Sequence, residues 1–142
     1  MDTSETYIKQ SDKARKYLPK HIWRDGDFVA IPQPKGYHVV IYHDAYFEEY
    51  MCGFDSDKSV IPLLRQDQLQ AMITDRPMSG LLLDFRDSAL AFLWGDGLDS
   101  MEQLWVAFVM KEKYNKVWNG EGWIEDIASA STGLDNSTSR RG

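Results

Sequence analysis

The chain has 142 residues, of which 43% are hydrophobic and 13% aromatic, enough for one domain with a buried core. Its single cysteine, Cys52, excludes an intrachain disulfide and any zinc site built from several cysteines. The net charge of −6 disfavours general binding to DNA or RNA, and the lack of a long apolar run predicts a soluble cytoplasmic protein without membrane contact.

The first predicted element is a charged helix or arm over residues 1–20. Tyr7 and Ala14 belong to a thin apolar stripe at helical spacing, and Pro19 ends the pattern. Because most other side chains here are polar or charged, we expect this segment to lie on the surface. A single domain over residues 21–127 is predicted to follow it.

Residues 22–54 have the composition of a small antiparallel sheet with two to four strands. The tight-turn pair Asp25-Gly26 separates two short apolar segments. Residues 37–43 are rich in β-branched and aromatic residues, which is typical of a strand. Residues 45–54 fit either a short helix or a strand.

From residue 60 onward the spacing of apolar residues becomes helical. Leu69, Met72 and Ile73 lie three and four positions apart and form one stripe. In residues 79–94 the large apolar side chains spread widely around a helix. A helix is favoured there over a strand–turn–strand arrangement.

The last predicted helix has the strongest end signals. Ser100 is a good N-cap, and Gln103 stands where a capping box needs it. Asn119-Gly120 supplies a left-handed exit at the other end. The predicted buried face consists of Met101, Leu104, Trp105, Phe108 and Val109. The fold class that follows is α+β, with the sheet packed against two or three C-terminal helices.

Two tryptophans, Trp118 and Trp123, flank the exit from this helix. Gly120 and Gly122 let the chain turn back, so that Trp123 can pack on Trp118 and the helix end. The pair is predicted to fasten the helix to the body, and a platform for ligand stacking is the alternative. Residues 128–142 are polar and of low complexity, and they are predicted to be disordered.

Two segments, "LLRQDQLQAMI" (63–73) and "SMEQLWVAFVMKEKYNKVWNGEGWI" (100–124), resemble small proteins of phages and mobile elements from gut-associated bacteria. The first segment matches loosely and the second closely. That group has no established activity, so the resemblance implies a setting for the protein and carries over no catalytic residue.

No residue pattern points to a catalytic, metal or cofactor site. His43-Asp44 could belong to a metal-assisted hydrolase, but His38 would face the opposite side of a strand from His43. Acidic neighbours would raise the pKa of the Cys52 thiol, which makes it a poor nucleophile. A small metal-assisted hydrolase using His43 and Asp44 is kept as an alternative function.

A stretch from Gly36 to Asp57 contains no Lys or Arg and interleaves acids with aromatics. Aromatic side chains offer contact area at low entropic cost, and acids steer a partner with a basic surface. The predicted partner surface comprises Asp44, Tyr46, Glu48, Glu49, Tyr50, Asp55 and Asp57. The leading hypothesis is a non-catalytic interaction module that binds another protein. An acidic mimic of DNA that inhibits a nucleic-acid-binding host protein is a further alternative.

Overall fold

A computed structural model of the chain describes residues 1–43, 60–93 and 100–126. The described residues confirm the α+β class, with small antiparallel sheets packed against helices. In chain order the elements are α1 (Glu5–Ala14), β1 (Phe28–Pro32), β2 (Tyr37–Ile41), β3 (Ile61–Leu63), α2 (Gln66–Gln70), α3 (Met78–Leu93), α4 (Met101–Tyr114), β4 (Lys116–Trp118) and β5 (Trp123–Glu125).

The larger sheet has the strand order β2-β1-β3, and both pairings are antiparallel. The strand predicted at Ile22-Trp23 does not form, and its place beside β1 is taken by β3 from a part of the chain that was expected to be helical. Pro62 is tolerated in β3 because β3 is an edge strand, where a missing backbone donor costs little.

Helix α4 supplies the centre of the core. In α4, residues 103–110 are all buried, because α1, α2 and α3 contact it from different sides. Met101, which was expected on the buried face, is 44% exposed at the start of the helix. The helix predicted over 79–94 is confirmed as α3. Among the described residues, no helix combines the length and the apolar character needed to cross a bilayer.

The C-terminal end of α4 differs from the expectation. The helix stops at Tyr114, because Asn115 adopts a left-handed conformation with φ of 54°. The predicted exit at Asn119-Gly120 is instead the turn of a hairpin between β4 and β5. Trp118 therefore lies on a strand, directly opposite Trp123 in the register.

Candidate functional site

The predicted partner surface and Cys52 lie outside the described residues, so the hypotheses about them stay predictions. His43 is described and is exposed. Within the three described ranges, no three His, Cys, Asp or Glu side chains are grouped so that they could hold a metal ion.

A groove with a volume of about 810 Å³ runs beside α1, within the size range of roughly 300–1,000 Å³ that is usual for ligand sites. It is lined by α1 from Tyr7 onward, by the loop that follows as far as Trp23, by residues 60–64 around β3, by Met72 and by Val106 of α4. We call this feature the α1 groove.

The floor of the α1 groove consists of its buried lining residues, Tyr7, Ser11, Val60, Leu64 and Val106. The Tyr7 hydroxyl donates to the Leu64 carbonyl at 2.5 Å, and an Arg15 Nη1 donates to the Val60 carbonyl at 2.7 Å. Burial raises the pKa of Tyr7, so its hydroxyl stays protonated as a donor. The Tyr7 hydroxyl and these two carbonyls already have partners, and the Ser11 side chain hydrogen-bonds to Tyr7. The floor therefore offers mainly apolar contact to a ligand.

The rim of the α1 groove consists of its exposed lining residues, Lys16, Pro19, Lys20 and Ile22. Three Lys or Arg side chains line the groove, and the only Asp or Glu among its described lining residues is Asp12. That carboxylate is paired with Arg15 at 2.7 Å. Among the described lining residues, basic side chains therefore outnumber acidic ones, on a chain whose net charge is −6.

The loop that forms the outer part of the groove is held by a buried carboxylate. Asp27 is 2% exposed, and its Oδ2 lies 2.9 Å from both the Arg24 amide nitrogen and His21 Nε2. Its Oδ1 accepts from Gln68 Nε2 at 2.9 Å and from Arg65 Nη1 at 3.2 Å. Burial alone would raise the pKa of Asp27, but the hydrogen bonds from Arg24, His21 and Gln68 outweigh it and lower the pKa.

Aromatic contacts extend this support along the groove. The His21 ring meets the Trp23 ring edge to face, with centroids 4.5 Å apart, and Trp23 stacks on Tyr42 at 5.5 Å. Because His21 and Trp23 both line the α1 groove, Asp27 and Tyr42 fix its outer wall before any ligand arrives.

The residues predicted as structural all lie in or beside α4 and the hairpin. The Ser100 hydroxyl accepts from the Gln103 amide at 3.1 Å and donates to Asp2. Trp105 stacks on Phe85 with centroids 3.9 Å apart, deep in the core. In the hairpin turn, Gly120 has φ of +98°, which a side chain would strain.

The tryptophan pair joins the hairpin to α1. The rings of Trp118 and Trp123 have centroids 5.1 Å apart, and Trp123 is buried. Its Nε1 donates to the Gln10 carbonyl at 3.0 Å, across 113 positions of sequence. The contact therefore ties the two ends of the described chain together and does not line the α1 groove.

The sequence reasoning did not predict the α1 groove. The available signal was electrostatic, since residues 1–35 hold seven Lys or Arg against five Asp or Glu. Comparison with known proteins adds nothing to this signal, because no family model, curated protein or solved structure matches the chain.

Proposed function

We propose that this protein is a non-catalytic interaction module that binds a segment of a partner protein in the α1 groove. The observation that carries the proposal is an apolar floor at the base of an open groove with a prearranged wall. Apolar clefts of this size with a few polar groups at their edge are the usual places where proteins bind other molecules.

The setting that we propose is a phage or a mobile element of gut-associated bacteria. It is supported by the resemblance of residues 63–73 and 100–124, and small interaction proteins fit that setting. We also propose the acidic-aromatic stretch between Gly36 and Asp57 as a second contact surface, for a partner with a basic surface. Its support is the absence of Lys and Arg together with the run of acids.

A photo-crosslinking side chain tests whether the groove contacts a partner. Ile22 lines the groove and is 76% exposed, whereas Leu83 on α3 is 53% exposed and does not line it. The crosslinker placed at Ile22 is expected to give a discrete adduct in a lysate of the source organism. The crosslinker at Leu83 is the matched control and is expected to give none.

A second pair of variants shows whether the adduct depends on the groove. Met72→Trp is expected to fill the groove and abolish the adduct at Ile22, while Met72→Leu keeps the volume and retains it. Thermal unfolding verifies that both variants fold. Equal adducts at Ile22 and Leu83, or an adduct that survives Met72→Trp in a folded protein, would remove the proposal.

The acidic-aromatic surface needs a separate test. Replacing Glu48, Glu49, Asp55 and Asp57 with lysine is expected to abolish capture of a partner from lysate if this stretch carries the contact. Replacing four acids elsewhere, Asp67, Asp75, Asp84 and Asp87, changes the net charge equally and is the control. Capture that survives the first set of substitutions would contradict this second surface.

A further inference from the structure

The floor and the rim of the α1 groove favour different chemical groups in one ligand. On the floor, the Tyr7 hydroxyl and the carbonyls of Val60 and Leu64 are bonded to groups of the chain itself. A polar ligand group placed there would lose its water without gaining a comparable partner. The floor therefore selects an apolar side chain.

The rim favours negative charge. The exposed lysines Lys16 and Lys20 stand on the rim, and Asp12, the one acid among the described lining residues, is paired with Arg15. The Lys16 Nζ lies 4.9 Å from the centroid of the Tyr17 ring, and this cation–π contact holds the ammonium over that ring. At physiological ionic strength charges are screened over about 8 Å, so a bound ligand experiences these lysines more than distant acids of the chain.

The shape of the groove favours an extended chain over an enclosed small molecule. Pro19, Lys20 and Ile22 are exposed along the rim, so a ligand in the groove keeps one side in water. A small amphipathic anion gains most of its affinity where a pocket buries nearly all of its surface. A peptide segment can instead insert one side chain and leave its backbone at the rim.

Resting on the proposed function, we infer that the α1 groove binds an acidic segment of a partner protein through one apolar anchor side chain. The anchor occupies the floor formed by Tyr7, Ser11, Val60, Leu64 and Val106. Carboxylates on either side of the anchor face Lys16 and Lys20. Such a segment combines the apolar contact that gives affinity with the charge that sets its orientation.

Two short peptides with blocked ends provide the test, Glu-Asp-Phe-Leu-Asp-Glu-Leu and Lys-Lys-Phe-Leu-Lys-Lys-Leu. Their apolar residues are identical, and only the charge differs. Binding is measured by amide NMR shifts of the full chain, which also locate the site. The acidic peptide is expected to bind on the order of tenfold more tightly, because two exposed ion pairs contribute modestly each.

Charge-reversed variants test whether the rim lysines cause the preference for the acidic peptide. Lys16→Glu together with Lys20→Glu is expected to invert the preference between the two peptides. Lys13→Glu together with Lys35→Glu makes the same change in net charge at positions that do not line the groove. This control pair is expected to keep the preference for the acidic peptide.

The outcomes separate this inference from the proposed function. Equal binding of both peptides in the groove, or a preference for the basic one, would overturn the acidic partner while leaving an apolar interaction site. An acidic preference that Lys16→Glu and Lys20→Glu do not change would also overturn it. Binding of octanoate in the groove without binding of either peptide would assign the site to small amphipathic anions and overturn the inference.

Discussion

Replacing Asp27 with asparagine removes charge from the loop that walls the α1 groove while keeping the shape of the side chain. All four groups around the carboxylate act as donors to it or lie at donor distance, at 2.9 to 3.2 Å. Asparagine presents an oxygen to one pair and an NH₂ group to the other. With the NH₂ group toward Arg65 and Gln68, both of these donors lose their acceptor. With the NH₂ group toward Arg24 and His21, the Arg24 amide loses its acceptor, and His21 keeps a contact only in the tautomer whose Nε2 accepts.

The size of the effect follows from burial. A hydrogen bond to a charged group contributes about 1.5–3 kcal/mol, and the Asp27 side chain is almost inaccessible to water. Arg65 is partly exposed and can turn to solvent, which relieves part of the loss. We expect Asp27→Asn to lower the free energy of unfolding by about 3 kcal/mol and the melting temperature by roughly 10 °C.

Urea unfolding followed by tryptophan fluorescence measures this change. Asp67→Asn is the matched control, because Asp67 pairs with the same Arg65 at 3.2 Å but its side chain is 72% exposed. The control is expected to cost less than about 0.5 kcal/mol. If Asp27→Asn costs no more than Asp67→Asn, Asp27 does not hold the loop as the geometry indicates.

The loss of stability caused by Asp27→Asn is expected to depend on pH. The pKa of Asp27 lies below its ordinary value of 3.8, so its contribution to stability is present above that pH and is lost as the pH falls through the folded-state pKa. The difference in stability between the wild type and Asp27→Asn is therefore expected to shrink between about pH 5 and pH 2. A difference that stays constant over this range would contradict the lowered pKa.

Three further substitutions test the packing around the groove and the hairpin. Trp123→Phe removes the donor to the Gln10 carbonyl and is expected to cost about 2 kcal/mol in urea unfolding; a change below about 0.5 kcal/mol would refute the tie to α1. Tyr7→Phe leaves the buried Leu64 carbonyl without its donor and is expected to lower the unfolding free energy by about 1–3 kcal/mol. Asn115→Ala forces alanine into a left-handed conformation and is expected to cost about 1 kcal/mol, with Asn115→Gly near neutral as its control.

In the larger sheet, local sequence signals predicted some strands correctly and others wrongly. Residues 37–43 were predicted as a strand from their β-branched and aromatic content, and β2 occupies most of them. Asp25-Gly26 does form a turn, yet no strand precedes it. Asp27 binds the Arg24 amide and His21, and these side-chain contacts replace the ladder that Ile22-Trp23 would need.

The third strand and the end of α4 depended on partners that lie elsewhere in the sequence. Ile61–Leu63 is a strand because it pairs with β1, and no local period reveals that pairing. Two left-handed exits were available after α4, at Asn115 and at Asn119-Gly120. The first is used because Val117 then pairs with Ile124 in a hairpin, which suits their β-branched side chains.

The sequence shows an excess of basic residues in 1–35 but not that the lining residues meet in one groove, because they come from residues 7–23, 60–72 and 106, which no spacing rule connects. Net charge does not reveal the groove either. A total of −6 describes the field far from the protein, whereas a partner in contact responds to charges within a screening length of about 8 Å. Folding placed Arg15, Lys16 and Lys20 around one apolar floor, so an acidic chain came to possess a site suited to an acidic partner.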